Sequence, residues 1–341
     1  MKRLTNTHSG DSLKILRKSS ILWSVMPVAV ALLVSFPSYA LTFDTSYNPS
    51  MLTDFGTSNF ALIQSDVQYV TNLYSSLYTN NVTLNISLTA DTSPGALAAS
   101  LPTYDQSAIY SYSQIRSALI ANASTPASVS ATNSLPSTDP SILKGGYIMP
   151  SAESKALGLL AGNATGTDGT IYVGTNIGGG SSWDFAGTST PNANDYSFIN
   201  ALEHEMAELM GRTTQLTNNT WAWNGPMDLF RYTAPGVINM DPNATGVYFS
   251  TDGGATVAKL YNPPNTNGAD IQDWFNSTTP DPYDAYATPG SFAPLSLVDQ
   301  QMMNTLGWTS SSAAVPEPDT YTLMFVGLGV LSFIVRRRKV F

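Results

Sequence analysis

The 341-residue chain contains no cysteine, which excludes a disulfide framework, thiol nucleophiles and thiolate metal ligands. Charge is scarce, at 11% of residues, and basic charge is scarcest in the interior. Between residues 41 and 335 only Arg116, Lys144, Lys155, Arg212, Arg231 and Lys259 stand against 23 Asp and Glu. That stretch therefore carries 6 − 23 = −17, where the whole chain sums to −9, and so acidic a body excludes nucleic acid and anionic lipid as partners. Histidine is almost absent too, with only His8 and His204. There is no internal repeat, and the two long apolar runs, Ile21–Phe36 and Tyr321–Val335, both lie near the ends. What remains is rich in Ser, Thr, Asn and Gly but keeps 11% aromatics, enough apolar surface for a folded body rather than a disordered one.

The N-terminus reads as an export signal. Lys2, Arg3, Lys14, Arg17 and Lys18 precede the apolar run, and Ser38-Tyr39-Ala40 places small residues at −3 and −1 of a cut before Leu41. At the other end, Val315-Pro316-Glu317-Pro318 is followed by the run Tyr321–Val335 and the cluster Arg336-Arg337-Arg338-Lys339. Fifteen helical residues span about 22 Å, short of a hydrocarbon core of about 30 Å. The basic cluster should stay cytoplasmic, with the body outside. This arrangement resembles the PEP-CTERM sorting signal of Gram-negative bacteria. The resemblance implies transient anchorage in the inner membrane, recognition by an exosortase and cleavage near Pro-Glu-Pro. The expected organisation is a signal peptide at 1–40, one domain at 41–309, a linker at 310–319 and an apolar transmembrane segment with basic tail at 320–341.

Within the body, apolar steps of three and four predict a helix over about 58–78, and alternation in "NVTLNISLTA" predicts a strand. A helix is expected over 112–120, a Ser/Thr/Pro-rich connection from Asn122 to Pro140, and a short strand in "GGYIMP". Ser151 should cap a helix ended by Gly162. A strand follows over 168–176, then a helix over about 195–211 capped by Asn194 or Asp195. A hairpin is expected around Asp252-Gly253-Gly254 and a closing helix over about 296–306. Helices and strands are interspersed, so the fold class is α+β, a mixed sheet packed on helices in one domain.

The chemistry concentrates in "NALEHEMAELMGR", Asn200–Arg212. Projected as a helix, Phe198, Ile199, Leu202, Met206, Leu209 and Met210 fall in one arc of about 120°. His204 and Glu208 lie opposite, one turn apart, beside the small residues Ser197, Ala201 and Gly211. Glu205 sits between the two faces. In an H-E-x-x-H helix both histidines bind zinc and the glutamate is the general base. Here Glu208 replaces the second imidazole by a carboxylate, which zinc accepts, at the cost of one more negative charge beside the metal. Three of the chain's five glutamates (Glu153, Glu203, Glu205, Glu208, Glu317) fall in this helix, and it holds the only histidine past the export signal.

A third ligand has to be a carboxylate, a tyrosine or a backbone group. Position 214, where a long zinc-peptidase motif would have histidine, holds Thr214. Asp228, in "WNGPMDLFRYTAPG", is the foremost candidate and Tyr232 the second, as ligand or as donor to a developing oxyanion. The same aspartate could instead cap a turn, and Met227 could floor the site or simply fill the core. Asp252, Asp270 and Asp273 lie in Gly-rich loops that could take calcium or be ordinary turn residues.

The succession "SAESKALGLL", "GTDGTIYVG", "FINALEHEMAELMGR", "PMDLFRYTAPG" and "VDQQMMNTLGW" resembles an uncharacterised family of bacterial secreted metalloproteases with an H-E-x-x-E-x-x-G-R helix, metzincin-like in plan. The resemblance implies a zinc endopeptidase acting on protein or peptide, with His204 and Glu208 as ligands and Glu205 as base. It also implies that an edge strand, near Ile171–Gly174, binds substrate in extended form. The alternative is a non-catalytic matrix or adhesion protein on a peptidase-like fold, associated with exopolysaccharide.

Overall fold

The computed structural model describes residues 41–104, 108–185, 187–218, 222–264, 268–275 and 279–311. The expected export signal at 1–40 and the C-terminal tail lie outside these residues. The architecture is mixed α/β, with sheets packed on helices. The main sheet comprises β1 (Thr42–Tyr47), β2 (Thr83–Asp91), β3 (Ala98–Pro102) and β4 (Gly169–Gly174) in the order β1-β2-β4-β3. β1, β2 and β4 are parallel, and β3 runs antiparallel to β4 with Ser100 opposite Ile171.

Alternation decides which face is buried. Leu84, Ile86 and Leu88 of β2, with Ile171 and Val173 of β4, lie in the core, while their neighbours are half-buried. Helix α1 (Pro49–Leu77) crosses over from β1 to β2. It starts earlier than the apolar pattern suggests because Asn48 caps it and Pro49 occupies its first turn. Gly56, at φ 75°, kinks it, and only the part after the kink carries the periodic core residues Ile63, Val67, Val70 and Tyr74.

Between β3 and β4 run α2 (Tyr112–Asn122), α3 (Pro126–Asn133) and α4 (Ser151–Ala156). α3 occupies part of the expected connection. Thr125 and Ser128 form a capping box there and Pro126 opens the first turn. "GGYIMP" makes only isolated bridges, Tyr147 to Tyr110 and to Asn224, and Pro150 to Tyr104. α4 is shorter than expected: Pro150 rather than Ser151 precedes it, Leu157 is its C-cap, and Gly158 turns the chain at φ 71°. Ser151 donates instead to Asp168. The expected edge strand Ile171–Gly174 is interior, because β3 pairs along its outer side. β3 is the edge, and Pro102 at its end is tolerated for that reason.

The short strands β5 (Trp183–Asp184) and β6 (Tyr196–Ser197) lead into α5 (Phe198–Leu209), which Ser197 caps in place of Asn194 or Asp195. α5 packs on α1, β3 and β4. Gly169 is required here, since a Cβ would come within 2.3 Å of Leu209 Cδ2. Beyond α5, a 3₁₀ turn (Pro226–Phe230) leads to a small second sheet of β7 (Arg231–Ala234), β8 (Val237–Ile238), β9 (Tyr248–Phe249) and β10 (Lys259–Leu260). β9 and β10 form the expected hairpin. The closing helix α6 (Leu297–Thr305) has a capping box of Ser296 and Asp299.

Candidate metal centre

α5 and its cap residue present Ser197, Asn200, Ala201, His204, Glu205 and Glu208 to a cavity of about 280 Å³. Leu97 and Ala98–Ser100 of the β3 edge form another side, and the loop 280–288 a third. The helix is buried on most sides, with His204 the more open of the two candidate ligands, at 17% side-chain exposure against 9% for Glu208.

His204 is oriented from behind. Its Nδ1 lies 2.8 Å from the Pro282 carbonyl, and since a carbonyl only accepts, Nδ1 carries the hydrogen and Nε2 faces the cavity. Nε2 lies 3.6 Å from Glu208 Oε1 and 3.3 Å from Asp273 Oδ1. Among the described residues, His204, Glu208 and Asp273 are a group whose ligand atoms all fall within 4.8 Å of one another. Ligand atoms held about 2.0–2.2 Å from a tetrahedral zinc stand roughly 3.3–3.6 Å apart, so the two measured separations suit that geometry.

Each carboxylate is fixed by further partners. Glu208 Oε2 accepts from Ser100 Oγ at 2.7 Å, and Oε1 accepts from Gln272 Nε2 at 3.0 Å. Asp273 is held through its neighbour Trp274. That fully buried ring donates to Asp299 at 2.8 Å, and the Trp274 backbone N–H donates to Tyr283. Beneath both acids lies Arg212, fully buried, with Nη1 2.8 Å from Asp273 Oδ1 and Nη2 3.5 Å from Glu208 Oε1. The turn after α5 carries it there: the Arg212 N–H closes on the Ala207 carbonyl at 3.0 Å, with Gly211 at φ 117°.

These surroundings split the two glutamates. Burial, then the Glu208 charge, pushes Glu205 up to about 8. Burial also acts on Glu208, but the His204 hydrogen bond and charge, with Arg212 and Ser100, pull it down to about 2. Burial disfavours a charged His204, yet Asp273 and Glu208 outweigh it and raise its pKa well above the ordinary value. A carboxyl raised by burial beside one lowered by a neighbouring imidazole and guanidinium is the split that a base and a ligand require.

Asp228 does not reach this group. Its carboxylate accepts from Thr214 Oγ1 at 2.5 Å, Gly225 N at 2.7 Å and Gln215 N at 3.2 Å, so it caps the 3₁₀ turn. The third member of the group with His204 and Glu208 is Asp273, which the sequence suggested as a calcium-loop residue or an ordinary turn residue. Tyr232 is buried against Tyr248 in the second sheet, away from the cavity wall, and Met227 is in the core. Asp252 accepts from Ser250 Oγ at 2.6 Å and Thr256 N at 2.8 Å, as a turn residue does. Asp270 lines the cavity mouth.

Residues 314–339 match the PEP-CTERM protein-sorting motif. The chain therefore carries the signal for export and exosortase-dependent sorting to the cell surface or extracellular space. No curated protein and no solved structure matches the chain. Among the described residues no helix is long and apolar enough to cross a membrane, and both apolar end runs lie outside those residues.

Proposed function

We propose that the exported chain is a zinc-dependent endopeptidase of metzincin-like plan. The observation that carries this reading is the convergence of His204, Glu208 and Asp273 beside a buried glutamate of raised pKa, on the wall of an open cavity. His204 Nε2 and one oxygen each of Glu208 and Asp273 would hold the metal, leaving a position for water or substrate. When bound, zinc supplies Lewis acidity toward a peptide carbonyl and toward water.

The rest falls to the chain's own residues. Glu205 takes the proton of the attacking water as its oxygen joins the carbonyl carbon, then returns it to the amine as the C–N bond breaks. The Pro282 carbonyl keeps His204 in the tautomer that can ligate. The free edge of β3, whose residues Ala98–Ser100 border the cavity, can pair with an extended peptide and align it past Glu205. The small residues Ala98, Ala99 and Ala201 leave room for it.

Metal analysis of the purified chain and hydrolysis of a mixed peptide library test the reading. Stoichiometric zinc is expected, with Glu205→Gln retaining it while losing roughly 10²–10⁴-fold in turnover. Absence of stoichiometric metal, or undiminished turnover in Glu205→Gln, overturns it. Retained metal with no hydrolysis, together with binding to exopolysaccharide, would mark the non-catalytic alternative.

A further inference from the structure

The His204–Glu208–Asp273 group differs in charge from a set of two imidazoles and one carboxylate. With a divalent cation, two carboxylates and a neutral imidazole sum to 0, whereas one carboxylate and two imidazoles sum to +1. A carboxylate at position 208 thus removes one unit of positive charge from beside the reacting carbonyl. The structure places one such unit directly behind the ligands. The Arg212 guanidinium is fully buried, touches the Asp273 and Glu208 oxygens that face His204, and lies 4.4 Å above the Tyr283 ring. Its Nε and Nη2 have no hydrogen-bond partner, so beyond its hydrogen bond to Asp273 its buried charge is matched by these two acids and the ring face.

We infer that Arg212 is a positioning residue with two tasks: it holds Glu208 and Asp273 together before metal arrives, and it restores the positive charge that the carboxylate at 208 removes. The inference rests on the reading of this group as a metal site. It carries a consequence that a merely structural arginine would not have. A cation behind the ligands opposes a second cation in front of them, so Arg212 should weaken metal affinity while sustaining turnover. Without it, the metal-free protein holds the two buried carboxylates against His204 with one cation fewer, and the metal itself becomes their counter-ion. Ser100 and Gln272 still hold Glu208, and the Trp274 anchor still holds Asp273, so the ligand geometry does not depend on Arg212 alone.

The test uses the full chain in detergent, as wild type, Arg212→Met and Arg212→Lys. Thermal midpoints are read in chelator and in excess zinc, and zinc dissociation constants by chelator competition. In Arg212→Met the chelator midpoint should fall further than the zinc midpoint, so the zinc-induced rise exceeds that of wild type. Its zinc dissociation constant should fall at least about tenfold, while turnover at saturating zinc falls about 10–100-fold. Arg212→Lys, which keeps the charge, should return the zinc-induced rise to the wild-type value. A zinc-induced rise in Arg212→Met no larger than in wild type overturns the inference alone. If Arg212→Met folds under neither condition, Arg212→Lys decides: tighter zinc binding than wild type in that variant overturns the role of charge, and wild-type affinity supports it. Wild type that binds no zinc overturns both the inference and the metal site.

Discussion

Two of the buried aspartates that follow α5 have opposite fates. Asp228 and Asp273 are both almost wholly removed from solvent, and each adjoins large apolar side chains. Asp228 spends its oxygens on the Thr214 hydroxyl and two backbone N–H groups, which makes it part of the 3₁₀ turn. Asp273 faces a guanidinium and an imidazole at the wall of a cavity. The difference teaches that burial and residue type do not distinguish a ligand from a cap. The partner atoms do: backbone donors saturate a carboxylate in place, whereas a cation and an imidazole on its open side leave it able to share a metal.

Exchanging the two roles gives the largest expected effects. Asp273→Asn should weaken zinc binding by more than about 100-fold, while Asp228→Asn should stay within about threefold of wild type by the same chelator competition. Denaturant unfolding should show the reverse, with Asp228→Asn losing about 2 kcal/mol through its broken cap. Comparable zinc loss in both variants would erase the distinction.

On the Asp228 side of α5, Gly211→Ala should cost about 2–4 kcal/mol in the same unfolding measurement. The residue sits at φ 117°, and an added Cβ would come within 2.7 Å of Glu153 Cδ. A smaller, pH-dependent effect comes from Glu153 itself. Both of its carboxyl oxygens are buried without a hydrogen-bond partner. Burial, and secondarily the Asp228 charge, holds its pKa well above the ordinary 4.5. The fold thus favours the protonated form, and this group's contribution is lost as pH rises above its unfolded value. Glu153→Gln cannot ionise. It should match wild type in stability below pH 4.5 and exceed it by more than about 1 kcal/mol at pH 8, read from unfolding curves at both pH values.

The smallest effects come from a matched pair of donors. Ser100→Ala removes a hydrogen bond to Glu208, and Thr214→Val one to Asp228. Each should lower stability by about 1 kcal/mol. Only Ser100→Ala should also weaken zinc binding, by about tenfold.

Much of the fold was legible where the signal is local. The alternation of Leu84, Ile86 and Leu88, the periodicity of α5 and the Ser296 cap of α6 each specify an element within a few residues. β1 and β3 escaped notice because both are short sheet edges with no fully buried residue and few large apolar side chains, which leaves their alternation faint. α3 has few large apolar residues and is held by its capping box and by packing on α2 and α6. The mistaken edge strand follows from the missing β3, since an interior strand looks like an edge until its outer neighbour is found.

The candidate site divides in the same way. His204, Glu205 and Glu208 could be placed on one side of one helix from spacing alone, because 3.6 residues per turn is a local property. The sorting tail was readable for the same reason, as contiguous motif, apolar run and basic cluster. Asp273 was not readable, because it reaches Arg212 across 61 residues of chain. Trp274 carries it there by docking on Asp299 and Tyr283, and no local pattern encodes that docking. Sequence by itself determined the helix and the order of its acids. Tertiary structure decided which distant aspartate completes the group and which arginine lies behind it, because long-range packing alone sets the distances between segments that share no turn.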